Sequence, residues 1–213
     1  MAPSNLWTIV PVRGIEQGKS RLARVLDQAG RARLNQHLLT STLDVIGRWR
    51  GNLSRCVVVS PCQRALETAA RLGAAIVQEE ANAGGLNAAA ALGASHAARQ
   101  GADSVLILPC DLPYLTPEAL SAVAHAAATA QHVVIAPDKI RTGTNALLVG
   151  ARCRFEFRYG EGSYSRHLQE AAEHGYPVSI CLRPELEFDL DTPEDFAAWQ
   201  QGTGTQTETS QTG

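Results

Sequence analysis

The chain has 213 residues, 19 basic and 21 acidic side chains and a formal charge of −2, with 45 % hydrophobic and 19 % charged residues. At this length roughly 70 % of the unfolded chain's surface is buried on folding, so one core suffices without disulfides or metals as staples. The near-neutral balance excludes nucleic-acid binding driven by bulk positive charge, but not small charged metabolites held by a local basic cluster.

Strand-length apolar runs alternate with helical periodicity almost throughout. Leu6 to Val12 (LWTIVPV) reads as a first strand, and Leu34, Leu38, Val45 and Ile46 keep helical spacing over Arg31 to Arg48. Cys56 to Val59 is a second strand, Gln63 to Leu72 a short helix and Ala75 to Gln78 a third strand. The alanine-rich stretch Asn87 to Arg99 has high helix propensity. Ser104 to Leu108 is apolar on both faces, as a central parallel strand covered by helices must be. Pro117 opens a helix over Glu118 to Ala130, and strands follow at Val133 to Ala136 and Ala146 to Val149. Ser163 to Glu173 is a helix, Val178 to Cys181 a strand and Pro193 to Gln200 a last helix. This alternation predicts an α/β fold with a doubly wound, mainly parallel sheet between two helical layers. Residues 1–200 form one domain, and the polar, Thr/Gly-rich segment 201–213 is expected to be a disordered tail.

Five cysteines (Cys56, Cys62, Cys110, Cys153 and Cys181) form no CxxC pair and read as reduced, packed thiols. No signal peptide is evident, and no apolar run approaches the roughly 20 residues of a membrane span. A cytoplasmic protein is expected, with no membrane or nucleic-acid partner. A homodimer fits an α/β enzyme of this size, and the sequence leaves the oligomeric state open.

In such sheets ligands bind beyond the carboxyl ends of the strands, so the segments that follow strands carry the information. Pro11-Val12-Arg13-Gly14 leads into Gly18-Lys19-Ser20-Arg21, and only three residues separate the two glycines, so the Walker pattern fails by count. What remains is a glycine-containing loop with Arg13, Lys19 and Arg21, suited to a triphosphate or equally to a solvated basic surface. Gly85 and Asn87 open the alanine-rich helix, where Asn87 could cap the helix or read a base or sugar. Asp111, within Leu108-Pro109-Cys110-Asp111-Leu112-Pro113, follows the most apolar strand, a rigid mount for a divalent-metal ligand or a turn aspartate.

Asp189 and Asp191 alternate on an extended segment and share a side. Thr192, Pro193, Glu194 and Asp195 read as a helix start, which leaves Asp189 to pair with Asp111 around a cation. Asp138, Thr142 to Leu147 and Tyr159 to His167 bring hydroxyls, glycines and an Arg-His pair near a helix N-terminus, as a small-anion pocket would. His37, His96, His125, His132 and His174 show no metal-ligand spacing.

Together IVPVRGIEQGKSRLA, EEANAGGLNAAAALG, LPCDLP, GTNALL, the Gly160–Ser163 loop with His167, and DLDTPEDF resemble the small guanylyltransferases of coenzyme F-420 biosynthesis, over Ile9 to Phe196. Members transfer GMP from GTP onto 2-phospho-L-lactate, phosphoenolpyruvate or 3-phospho-D-glycerate. The resemblance implies a three-layer nucleotide-diphospho-sugar transferase-like (Rossmann-like) nucleotidyltransferase fold. It also implies that Arg13, Lys19 and the backbone of Pro11, Val12 and Gly14 hold nucleotide phosphates, with Gly85 and Asn87 near base or ribose. Asp111 and Asp189 would hold Mg²⁺, with Asp191 in reserve, and Thr144, Gly160 and Ser163 would bind the phosphorylated carboxylate. Lys is common in the family where this chain has Arg13, whose planar fork donates differently from an ammonium.

The chemistry agrees, because a phosphomonoester with a second pKa near 6 is already largely a dianion at neutral pH and needs no general base. In-line placement and charge neutralisation suffice, which predicts direct transfer without a covalent enzyme intermediate. The rival readings are a nucleotidyltransferase acting on molybdopterin or a sugar phosphate, and a nucleotide-binding regulator without catalysis. The acceptor-side loops favour a small phospho-acid.

Overall fold

The computed structural model describes residues 5–16, 18–80 and 85–208, with side chains as far as 202. Strand β1 (Leu6–Pro11) is buried at every position. Its residues alternate between two cores: Leu6 and Val10 join one, Trp7 and Ile9 the other. That is the pattern of a central strand covered on both faces.

Around it lie β2 (Cys56–Ser60), β3 (Ala75–Gln78), β4 (Ser104–Ile107), β5 (Val133–Pro137), β6 (Thr144–Gly150) and β7 (Val178–Ile180), in the order β3-β2-β1-β4-β6-β5-β7. β1, β2, β3 and β4 run parallel and β7 is parallel to β5, whereas β6 is antiparallel to β4 and β5. The mainly parallel sheet is therefore present, with one reversed strand. A parallel pairing needs a long crossover, and only a short loop joins β5 to β6, so those two must form a hairpin. Asp138 holds that loop, its carboxylate accepting from Thr142 N, Thr142 Oγ1 and Gly143 N. The hairpin brings Thr144, the first residue of β6, to the sheet edge where β4 and β5 end.

One face carries α1 (Gln28–Arg50), α2 (Gln63–Arg71) and α4 (Pro117–Ala126), through Leu39, Leu43, Leu66, Leu120 and Val123. The other carries α3 (Gly85–Arg99) and α5 (Ser163–Glu173), through Ala89, Ala90, Ala97 and Ala171. α3 packs closely because its inner face is made of small residues. A Cβ at Gly93 would lie 3.0 Å from Val59 Cγ2 and closer still to Ile9.

Several boundaries differ from the sequence pattern. α1 begins at Gln28 under an Asp27 cap and ends at Gly51 in the left-handed region. A 3₁₀ turn, Ser20–Arg24, and a one-turn helix α6 (Pro184–Glu187) carry too few residues to show a period. The final helix α7 runs Pro193–Glu208, so helix continues into the segment expected to lack structure. Propagation costs little per residue once a helix is nucleated, and Thr192 and Asp195 nucleate this one by a reciprocal cap. Residues 209–213 lie outside the described residues. No helix among the described residues is long and apolar enough to cross a membrane.

Candidate active site

The first loop turns back on itself where Gly18 N donates to Gly14 O. Asn35 of α1 holds it from behind, donating from Nδ2 to Ile15 O at 2.8 Å. Lys19 follows in the left-handed region at φ 57°, uncommon for a residue with a Cβ. Its side chain is only 9 % exposed and reaches Asp191 Oδ1 at 2.7 Å and Asp111 Oδ2 at 3.6 Å. Burial opposes the charge on Lys19, but the Asp111 and Asp191 carboxylates override it and raise the ammonium pKa.

The two acidic segments meet through the backbone, where Leu190 N donates to Asp111 O at 2.9 Å. Asp195 Oδ2 accepts from Asp191 N and Thr192 N, which fixes the segment that carries Asp191. The expected helix start at Thr192 is thus observed, and it also positions the acid. Burial, Asp111 and Asp191 together push the Asp189 carboxyl up to about 6. Two aspartates thus hold one ammonium, and Asp189 lies beside them in their negative field.

These groups line a cleft of about 560 Å³ at the carboxyl edge of the sheet. Pro11, Val12, Arg13, Gly14, Lys19, Arg21, Asn87, Asp111, Gly160 and Asp191 all border it, so one cavity holds the expected cations, two of the expected aspartates and part of the acceptor loop. Gly85, Thr144, Ser163 and Asp189 do not border it directly. Gly85 (φ 73°) lies behind Arg13, and a Cβ there would sit 3.3 Å from Arg13 Nη2. Cys110 also borders the cleft, its thiol pushed up to about 12 by burial and by Asp111, so it stays protonated. Among the described residues no cluster of three or more His, Cys, Asp or Glu has metal-site geometry.

Asn87 differs from expectation. α3 begins at Gly85, so Asn87 lies inside the helix and is not its cap. Its amide clasps the backbone of Tyr159, with Oδ1 accepting from Tyr159 N at 2.7 Å and Nδ2 donating to Tyr159 O at 3.2 Å. It therefore borders the cleft while tying α3 to the Tyr159–Gly160 loop.

His167 is fully buried, its pKa lowered to about 4 by burial and the Arg158 charge. Arg158 N donates to its Nε2 at 3.0 Å, so Nδ1 carries the proton and donates to Thr144 Oγ1 at 3.0 Å. A neutral ring with both nitrogens engaged is no cationic anion binder, contrary to the Arg-His pocket expected from sequence. It joins Thr144 to the loop instead and leaves the Thr144 hydroxyl proton able to donate. Ser163 is buried at the first turn of α5, its N–H donating to Gly160 O.

Residues 6–209 match the family model for guanylyl transferase, CofC like. The chain belongs to that family. It is 41 % identical over 203 residues to phosphoenolpyruvate guanylyltransferase of Rubrobacter xylanophilus, covering 95 % of this chain and 97 % of that one. It is 37 % identical to 3-phospho-D-glycerate guanylyltransferase of Phenylobacterium zucineum, covering 91 % and 89 %. In fold it resembles a nucleotidyl transferase from Methanothermobacter, with TM-score 0.65 at 18 % identity over 93 % of this chain and 97 % of that one. The nucleotidyltransferase architecture and enzyme class expected from sequence are borne out by these matches.

Sequence reasoning passed over Asn35 and the structural use of Asn87 as a clasp on Tyr159. The partners of Asn35 and Asn87 lie 20 and 72 residues away, respectively, and no local pattern marks such a pair.

Proposed function

We propose that the protein transfers GMP from GTP onto a small phosphorylated carboxylic acid with release of pyrophosphate, in coenzyme F-420 biosynthesis in the cytoplasm. The observation that carries this reading is the single cleft in which Arg13, Lys19 and Arg21 face Asp111 and Asp191. The cations offset the charge of a triphosphate and of the departing pyrophosphate. The acceptor is already a dianion at neutral pH, so the cleft needs no general base. Among its described lining residues there is no histidine, and Cys110 is a protonated thiol. Direct in-line displacement at the α-phosphorus is the step these residues can support, by holding both reactants in register. Thr144, Gly160 and Ser163 form the acceptor side, where the Thr144 hydroxyl and the turn before α5 suit an anion.

The donor chemistry fits Mg²⁺, a hard cation that prefers carboxylate oxygens and usually takes one or two of them beside substrate phosphates. Asp191 is committed to Lys19 at 2.7 Å, whereas the Asp189 carboxyl is pushed up to about 6, first by burial and then by Asp111 and Asp191. Asp111 and Asp189 would therefore hold the ion. When bound it neutralises charge on the phosphates.

The relatives named for phosphoenolpyruvate make that acid the first acceptor to test. Four nucleoside triphosphates are assayed against phosphoenolpyruvate, 3-phospho-D-glycerate and 2-phospho-L-lactate with Mg²⁺, reading pyrophosphate release and product mass. GTP with one of these acids should give the guanylylated acid. Binding of GTP without turnover on any of the three would overturn the reading.

A further inference from the structure

Glu79 follows β3, at the same sheet edge as the first loop and Asp111, and its N–H donates to Ser60 O at 3.0 Å. The residue is 7 % exposed, and its Oε1 is buried without a hydrogen-bond partner. An unpartnered buried carboxylate oxygen is costly, so its retention calls for a ligand or a structural reason. Among the described residues Oε1 has no hydrogen-bond partner. Burial raises the carboxyl pKa, while the Arg13 guanidinium opposes that shift. Arg13 borders the cleft and lies against Gly85 at the entry to α3, and its charge couples Glu79 to the rim of that cleft, whose described lining does not include Glu79 itself.

The strand order says which part of a nucleotide reaches it. Thr144 belongs to β6 on the β4 side of β1, whereas Glu79 lies beyond β2 on the opposite side. A triphosphate held between the first loop and Asp111 must leave the acceptor side of its α-phosphorus open. A base carried on the side away from Thr144 would then extend over β2 and β3. An ionised carboxylate only accepts hydrogen bonds, and among the common bases guanine presents two adjacent donors on one edge, N1–H and the 2-amino group. Adenine and cytosine present a ring acceptor there, and uracil's single N–H is flanked by two carbonyls.

We propose that Glu79 is the specificity-determining residue for guanine, its carboxylate accepting from N1–H and the 2-amino group. The proposal rests on the guanylyl reading above and deepens it.

The test is nucleotide binding without acceptor, by calorimetry, on wild type and Glu79→Gln with GTP, ITP (which lacks the 2-amino group), N1-methyl-GTP and XTP. Wild type should bind GTP at least about tenfold tighter than ITP or N1-methyl-GTP, the scale of discrimination when a built hydrogen-bond site is left unpaired. In Glu79→Gln the GTP preference should collapse and XTP binding should strengthen by about tenfold, because Gln accepts from N1–H and donates to the xanthine 2-oxo group. A purely structural Glu79 cannot produce that exchange of preference. Equal binding of GTP and ITP by wild type overturns the proposal, as does a GTP/ITP ratio unchanged in a folded Glu79→Gln. The wild-type analogue series decides alone if the variant does not fold. Because no acceptor is present, failure here is separable from failure of the transfer reaction, which is read as absent pyrophosphate release.

Discussion

Acidification should act on this fold through His167. The ring is fully buried and neutral, with a pKa of about 4 against 6.5 in the unfolded chain. Above pH 6.5 both states carry the neutral ring and it contributes nothing to pH dependence. As pH falls from 6.5 to 4 the unfolded chain binds the proton and the folded chain does not, so the folded state loses stability. At 1.36 kcal/mol per tenfold difference in proton affinity, the loss reaches about 2.5 kcal/mol by pH 4.5. Asp189 works in the opposite sense. Its folded carboxyl, at about 6, binds a proton through much of the same window while the unfolded one stays ionised, so acidification favours the fold there. Wild type alone can therefore look flat.

The measurement is urea unfolding at pH 7.0, 5.5 and 4.5 with EDTA, on wild type, His167→Gln and Asp189→Asn. The stability difference between wild type and His167→Gln should shrink by about 2.5 kcal/mol from pH 7.0 to 4.5. Asp189→Asn should lose more on acidification than wild type does. A wild-type minus His167→Gln difference independent of pH would refute the buried neutral ring. Protonation also removes the Nε2 acceptor of Arg158 N, so KM for the acid acceptor should rise at low pH before kcat falls.

Asp111→Asn should lower pyrophosphate release by at least about 100-fold and abolish Mn²⁺ binding seen by paramagnetic resonance. Unchanged release would remove Asp111 from the site. Lys19→Met should cost a similar factor in turnover yet tighten Mn²⁺ binding in the absence of nucleotide, since the ammonium now lies among the carboxylates. Weaker Mn²⁺ binding would contradict that. Asn87→Ala should raise KM for the acceptor several-fold with kcat for GTP little changed, through slackening of the Tyr159–Gly160 loop; a change confined to GTP binding would assign Asn87 to the nucleotide. Gly93→Ala should destabilise by about 1–3 kcal/mol in thermal or urea melts, because the added Cβ meets Val59 and Ile9 on the sheet. Wild-type stability would mean that α3 can move outward freely.

Much of this architecture is local, and so it is legible in the chain. Buried parallel strands such as Cys56–Ser60 and Ser104–Ile107 read as unbroken apolar runs because both faces are covered. The Thr192–Asp195 cap is written in four consecutive residues, and Asp111 follows the most apolar strand, so strand-end chemistry could be named without coordinates. The short 3₁₀ turn after Lys19 and the extension of α7 carried no period to read. What tertiary structure alone decided is which distant residues share a space. Lys19 reaches Asp191 across 172 residues, Asn87 clasps Tyr159 across 72, and His167 joins Thr144 across 23. Those meetings depend on strand order and register, which bring separate strand ends to one edge of the sheet. The same registry separates Asp191, committed to Lys19, from Asp189, left among negative charges, a choice two identical side chains two residues apart cannot express in sequence. A net charge of −2 averages over that cleft, where burial and proximity set apart a handful of cations and anions from the rest.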